Sequence, residues 1–235
     1  MNNNTTRFSL CAALIAIGLT LAGLTIGWGI SNVKSTDRFA IVKGLAERTV
    51  NANQAIWKIS FSYSSDTLDD LYSGVAKAQD TVVKFLSNKG FPKENIQLEP
   101  VSITDNDSNS YSQNSKAKRF KASVSVVLTT GKVQDVVQSA QKTSDLVQSG
   151  VVINNSNVRY LYTNLNAIKP KMLDQATFNA EKAAETFAKN SHSHLNGIRR
   201  ATQGLFSIKN ADGSYGDSDP VKKIRVVSTI EYFLK

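Results

Sequence analysis

Cysteine is nearly absent from this chain of 235 residues. The single one, Cys11, lies inside an apolar run near the amino terminus, and residues 39–235 contain none. No internal disulfide can form. A domain without cysteine is compatible with an oxidising compartment but does not require one. Histidine is almost as scarce, with His192 and His194 the only two. On a helix they point about 200° apart and cannot share a metal, although at a strand end they could. No cysteine is near them and no glutamate follows at a useful spacing, so exposed histidines at a helix C-terminus are the simpler reading. The phosphate-binding signatures are missing too: there is neither a Walker loop nor a Gly-x-Gly-x-x-Gly after a strand. Serines are plentiful, yet none sits in Gly-x-Ser-x-Gly or beside a local base. Asp69-Asp70 begins a helix, where negative charge is expected on dipole grounds alone. No catalytic, cofactor or metal residue is predicted.

Charge is also missing, in one place, from Phe8 to Ile30. These 23 residues, mostly Leu, Ile, Ala and Gly, would just span a ~30 Å hydrocarbon core at ~1.5 Å per residue. A secretory signal has a shorter apolar region, about 7–15 residues, before a small-x-small cleavage site. Here Gly27-Trp28-Gly29-Ile30-Ser31 offers no Ala-x-Ala, although cleavage after Gly29 or Ser31 is the alternative. The length favours an uncleaved anchor, with Phe8, Leu14, Ile17, Leu21, Leu24 and Ile30 in lipid and Trp28 near the interface. Cys11 lies too early in the run for a lipid-attachment cysteine. Residues 1–38 are thus expected to be a membrane anchor with a short linker, and residues 39–235 one globular domain. Arg7 on one side and Lys34, Asp37 and Arg38 on the other leave the positive-inside count nearly balanced.

The net charge of +9 points toward anionic partners rather than toward a fold. Nucleic acid is not expected, because the basic residues are dispersed and no reading motif accompanies them. The one dense cluster is Lys116, Lys118, Arg119 and Lys121, a candidate site for an anionic envelope component. Asp105, Asp107 and Asn109 mimic the start of a calcium loop. Ser110 then replaces its turn glycine and Lys116 its bidentate glutamate. Asp212, Asp217 and Asp219 form a second loose acidic set. Solvated turns explain both better than a cation site does.

Alternation from Ala55 to Tyr63 predicts a half-buried strand, preceded by another over Phe39 to Val50. Leu71, Val75, Ala78, Val82 and Phe85 have helical spacing, with Asp66 or Thr67 as the N-cap and Asn88-Lys89-Gly90 as the stop. Further strands are expected at Ile96–Ile103, Phe120–Leu128, Val158–Tyr162, Ile198–Ile208 and Val221–Leu234. A second helix runs from Val133 to Val147, and a third carries Met172, Ala176, Ala180, Ala183 and Phe187 on one face. The fold class is α+β. Antiparallel or mixed sheets pack with about three amphipathic helices, behind one N-terminal transmembrane helix.

The segment Val42-Lys43-Gly44-Leu45-Ala46-Glu47-Arg48-Thr49-Val50, with the strand after it, resembles the opening of SIMPL-domain proteins, the YggE-like proteins of the bacterial envelope. Val83-Lys84-Phe85-Leu86 through Gly90-Phe91, the Ala-rich helix at Ala176–Ala188 and the ending from Lys222 to Leu234 complete the likeness over nearly all of residues 40–235. Leu45 departs from the small or polar residue common after that glycine. The resemblance implies a non-enzymatic envelope protein on the inner membrane, facing the periplasm or exterior. It further implies homo-oligomers and a link to stress tolerance, and brings no catalytic residue with it.

Overall fold

The computed structural model describes residues 15–28, 38–108 and 118–235. The chain forms two compact units. One comprises Met1–Ala46, Lys171–Phe206 and Val226–Lys235; the other comprises Glu47–Pro170 and Ser207–Arg225. They are called here the terminal unit and the central unit.

The central unit is built on a five-stranded antiparallel sheet. Its middle strand, β2 (Gln54–Ser65), pairs on one side with β6 (Val152–Leu161) and on the other with β5 (Phe120–Thr130). β3 (Ile96–Leu98) and β4 (Ser102–Asp105) both pair with the outer side of β5. Strict alternation sends Trp57, Ile59 and Phe61 of β2 to one face, joined there by Ala122, Val124, Val126 and Leu128 of β5. Across this face packs α2 (Leu68–Asn88), whose Leu71, Val75, Val82 and Leu86 recur at three- and four-residue steps. The Trp57 indole meets the Phe85 ring edge-on and donates a 2.9 Å hydrogen bond to Ser156 Oγ. Thr67 caps α2 by accepting from the Asp70 amide, and Gly90 ends the turn beyond it at φ +88°.

Three elements of this unit differ from expectation. The strand expected over Ile96–Ile103 is two short ones. The Glu99 amide still donates to Ser125 O, but Pro100 has no N–H to continue the ladder. The helix expected from Val133 to Val147 divides into α3 (Val133–Ala140) and α4 (Ser144–Gln148). The strand at Val158 extends back to Val152, because Asn154, Asn155 and Asn157 turn to solvent and hide its pattern.

In the terminal unit the sheet runs β1 (Phe39–Asn51), β9 (Val221–Leu234), β7 (Leu195–Gln203). β8 (Ser207–Asn210) pairs with the part of β9 that belongs to the central unit. α5 (Leu165–Asn190) closes on β1 and β9, where Ala180 and Ala184 cluster with Val42, Ile230 and Tyr232. The buried line is Met172, Ala176, Ala180, Ala184 and Ala188, a strict four-residue step. Phe187, expected inside, is 61 % exposed. The segment expected as one strand from Ile198 divides at Gly204, whose amide donates to Val227 O.

Residues 15–28 form a helix, α1. It holds 14 of the 23 residues in the apolar run, and the rest of that run lies outside the described residues. Among the described residues no helix is long and apolar enough to cross a membrane.

Candidate functional site

Of the residues expected in a membrane anchor, Ile17, Leu21, Leu24 and Trp28 lie on α1, each more than half exposed. Ile15, Leu19 and Ile26 on its other sides are equally exposed, so the helix is apolar all round. Phe8, Leu14 and Ile30 lie outside the described residues.

The basic cluster is arranged otherwise than its sequence suggests. Lys118 pairs with Asp66. Arg119 reaches Asp105 Oδ2 at 3.1 Å and Asp107 Oδ2 at 3.5 Å, and lies over the Phe120 ring. The hydrogen bond from Lys118 holds the Asp66 carboxyl below the ordinary carboxylate value, and that from Arg119 does the same for Asp105. Lys121, one residue out of phase with Phe120, stands exposed opposite Ser64 and Thr104. Lys118 and Arg119 are therefore matched by three carboxylates, and Lys121 lies outside these pairs. Lys116 lies outside the described residues, as does Asn109 of the calcium-like run.

The other acidic set serves its own loop. Asp212 accepts from the Ser214 amide, Asp217 pairs with Arg159 at 2.9 Å, and Asp219 accepts from the Ala211 and Val221 amides. At the base of the loop the buried Lys222 ammonium donates to Asn210 Oδ1 at 2.8 Å. Among the described residues no three His, Cys, Asp or Glu side chains gather as a metal site.

Two surfaces of the central unit were not foreseen. The first is a groove of about 500 Å³ between α2 and β4. Leu71, Val75 and Ala122 form its floor, while Leu68, Tyr72, Val101 and Ile103 stand on its rims at 54, 80, 40 and 54 % exposure. Four large apolar side chains open to water beside a short edge strand make a surface suited to an apolar partner. The second is the outer face of the five-stranded sheet, where Lys58, Ser60, Ser125, Asn155 and Asn157 lie in adjacent rows. Lys58 is held by Glu99 at 2.6 Å, and Ser60 and Ser125 share a 3.1 Å hydrogen bond. Glu99 lines the same depression as Ser60. The face offers hydroxyl and amide groups for hydrogen bonds. Tyr160 and Tyr232 are buried in their sheets, and that burial raises both phenols above their usual value.

Among known proteins, the model of the SIMPL family, a protein of unknown function (DUF541), matches residues 41–228. No curated protein matches the sequence. Among solved structures the chain is similar to a hydrolase from Listeria innocua, 7 % identical, over 81 % of this chain and 92 % of that one. The TM-score of that pair is 0.20, and a likeness so slight carries no argument about fold or activity. The family match spans most of the chain, from the Gly44 strand to the closing strand β9, and on it the chain belongs to the SIMPL family.

Proposed function

We propose that this protein is a single-pass, inner-membrane envelope protein whose globular part faces the periplasm and works without catalysis, by assembling with further copies of itself. The observation that carries the reading is the groove between α2 and β4, whose apolar rims nothing in the described chain covers. Support for the tether comes from α1, apolar on every side, within an uncharged run long enough for a bilayer. Confinement by that tether multiplies weak contacts between copies. The family resemblance adds the expectation of oligomers and of a part in stress tolerance.

The test is light scattering on the full chain in detergent micelles. A discrete multiple of the monomer mass is expected, and Ile103→Asp, which places a charge on the groove rim, is expected to return the monomer. A monomeric wild-type protein at high concentration would sink the reading. The alternative is a binding module for an anionic small molecule or polymer, and it draws on the net charge of +9. Its cations must lie away from Lys118 and Arg119, which are already paired.

A further inference from the structure

We infer that one end of the terminal unit docks on anionic phospholipid headgroups, a role that rests on the membrane tether proposed above. Backbone hydrogen bonds fix this end. The His194 amide donates to Lys235 O at 2.7 Å, the Lys235 amide to His194 O at 2.9 Å, and the Leu234 amide to Arg38 O at 2.8 Å. Arg38, Lys235 and His194 therefore stand side by side at the ends of three neighbouring strands, about 4.8 Å apart per strand. α5 delivers Lys189 and His192 to the same place, where they line a groove with Ser193 and His194. Glu185 is the one acidic side chain in that lining. Among the described residues Arg38, Lys189 and Lys235 are all exposed and none forms an ion pair.

The turn after α5 adds a second observation. The Ser193 amide donates back to Ala188 O at 2.9 Å, closing the helix as a glycine-type cap does. The residue in the left-handed position is His192, at φ +52°, the only non-glycine with positive φ among the described residues. Glycine would hold this conformation without strain. His192 instead holds it, in the lining of the groove with Lys189.

Tether geometry selects the occupant. Arg38 lies in this basic row, and nine residues separate it from Trp28 at the end of α1. The ten Cα steps between them reach ~35 Å at most, so a membrane holding α1 lies close to this end. Cations held near such a surface attract anionic headgroups in a salt-dependent way.

The test reconstitutes the full chain into vesicles of neutral phosphatidylcholine, with or without anionic phosphatidylglycerol, and reads flotation together with amide hydrogen exchange over residues 191–195. Flotation with both vesicle types is expected, with exchange at 191–195 slowed about tenfold by the anionic lipid alone and restored by salt. A triple variant, Lys189→Gln, His192→Asn and Lys235→Gln, should float unchanged and lose that protection; asparagine tolerates the left-handed backbone at 192. Flotation with both vesicles but identical exchange overturns the headgroup site alone. Flotation only with anionic vesicles supports the headgroup site and overturns the tether, and no flotation overturns both. Equal protection by inorganic phosphate on neutral vesicles overturns membrane docking in favour of a soluble anion site.

Discussion

Gly44 shows how closely a single residue governs the terminal unit. A Cβ built there would stand 1.8 Å from Ala176 O and 2.5 Å from the Ala180 amide nitrogen. Both are backbone atoms of a helix whose Ala176 and Ala180 are fully buried, so no side chain can swing aside. Strand and helix meet here at a distance only glycine allows, and Asn179 bonds to Leu45 O beside it at 2.7 Å. Gly44→Ala is expected to lower stability by about 3 kcal/mol or more, read as a fall in Tm. Gly131→Ala is the control, since its Cβ would meet only Asn53 O at an ordinary 3.6 Å, and it should shift Tm little. Equal effects of the two would remove close packing as the reason for Gly44. The resemblance to SIMPL proteins had singled out the segment around this glycine. The steric reason for it is a property of α5, more than a hundred residues away in sequence.

At the scale of elements, the β8–β9 hairpin is organised by a buried cation. Burial pushes the Lys222 ammonium below the ordinary lysine value of 10.5, while Asp217 and Asp219 partly offset the shift. The folded chain thus releases this proton at lower pH than the unfolded chain. Between the two values the unfolded state holds more protons, and stability rises with pH. In Lys222→Met that contribution is gone. The stability of wild type relative to this variant, from urea unfolding, should therefore climb as the pH approaches 10.5. Tyr160 and Tyr232, with raised values, act oppositely above pH 10.0, but they are present in both proteins and cancel. A pH-independent difference would refute the downward shift that burial gives the Lys222 ammonium. The sequence made β2, β5 and α2 legible because each has one dry face and a matching period. It placed β7 only in part, starting it at Ile198 and running it on into β8, because this edge strand has no buried residue and two register shifts, and no alternation is needed where neither face is dry. The groove was hidden for the opposite reason. Leu68 and Tyr72 look like core residues in one dimension, and only the placement of β4 leaves them open. The pairing of Lys118 with Asp66, 52 residues away, was equally beyond reach of local spacing, and so two cations of a cluster that reads as free, Lys118 and Arg119, are paired in the fold.

For the whole molecule, the proposed tether would decide how the proposed contacts through the α2–β4 groove translate into assembly. A chain free in solution meets its neighbours at the bulk concentration. Copies held in one bilayer share a thin layer, so their effective concentration follows surface density instead. Full-length protein reconstituted into vesicles should therefore crosslink to a yield set by its ratio to lipid. Diluting the vesicle suspension tenfold should leave that yield unchanged, since surface density is unchanged. The same dilution in excess detergent micelles should cut the yield several-fold, because each copy then occupies its own micelle. Ile103→Asp should lower the yield in both settings, which separates contacts at the groove from random encounters in the bilayer. A vesicle yield that falls with dilution would mean that the chain is not held in the membrane. A yield indifferent to Ile103→Asp would move the contact between copies to another surface.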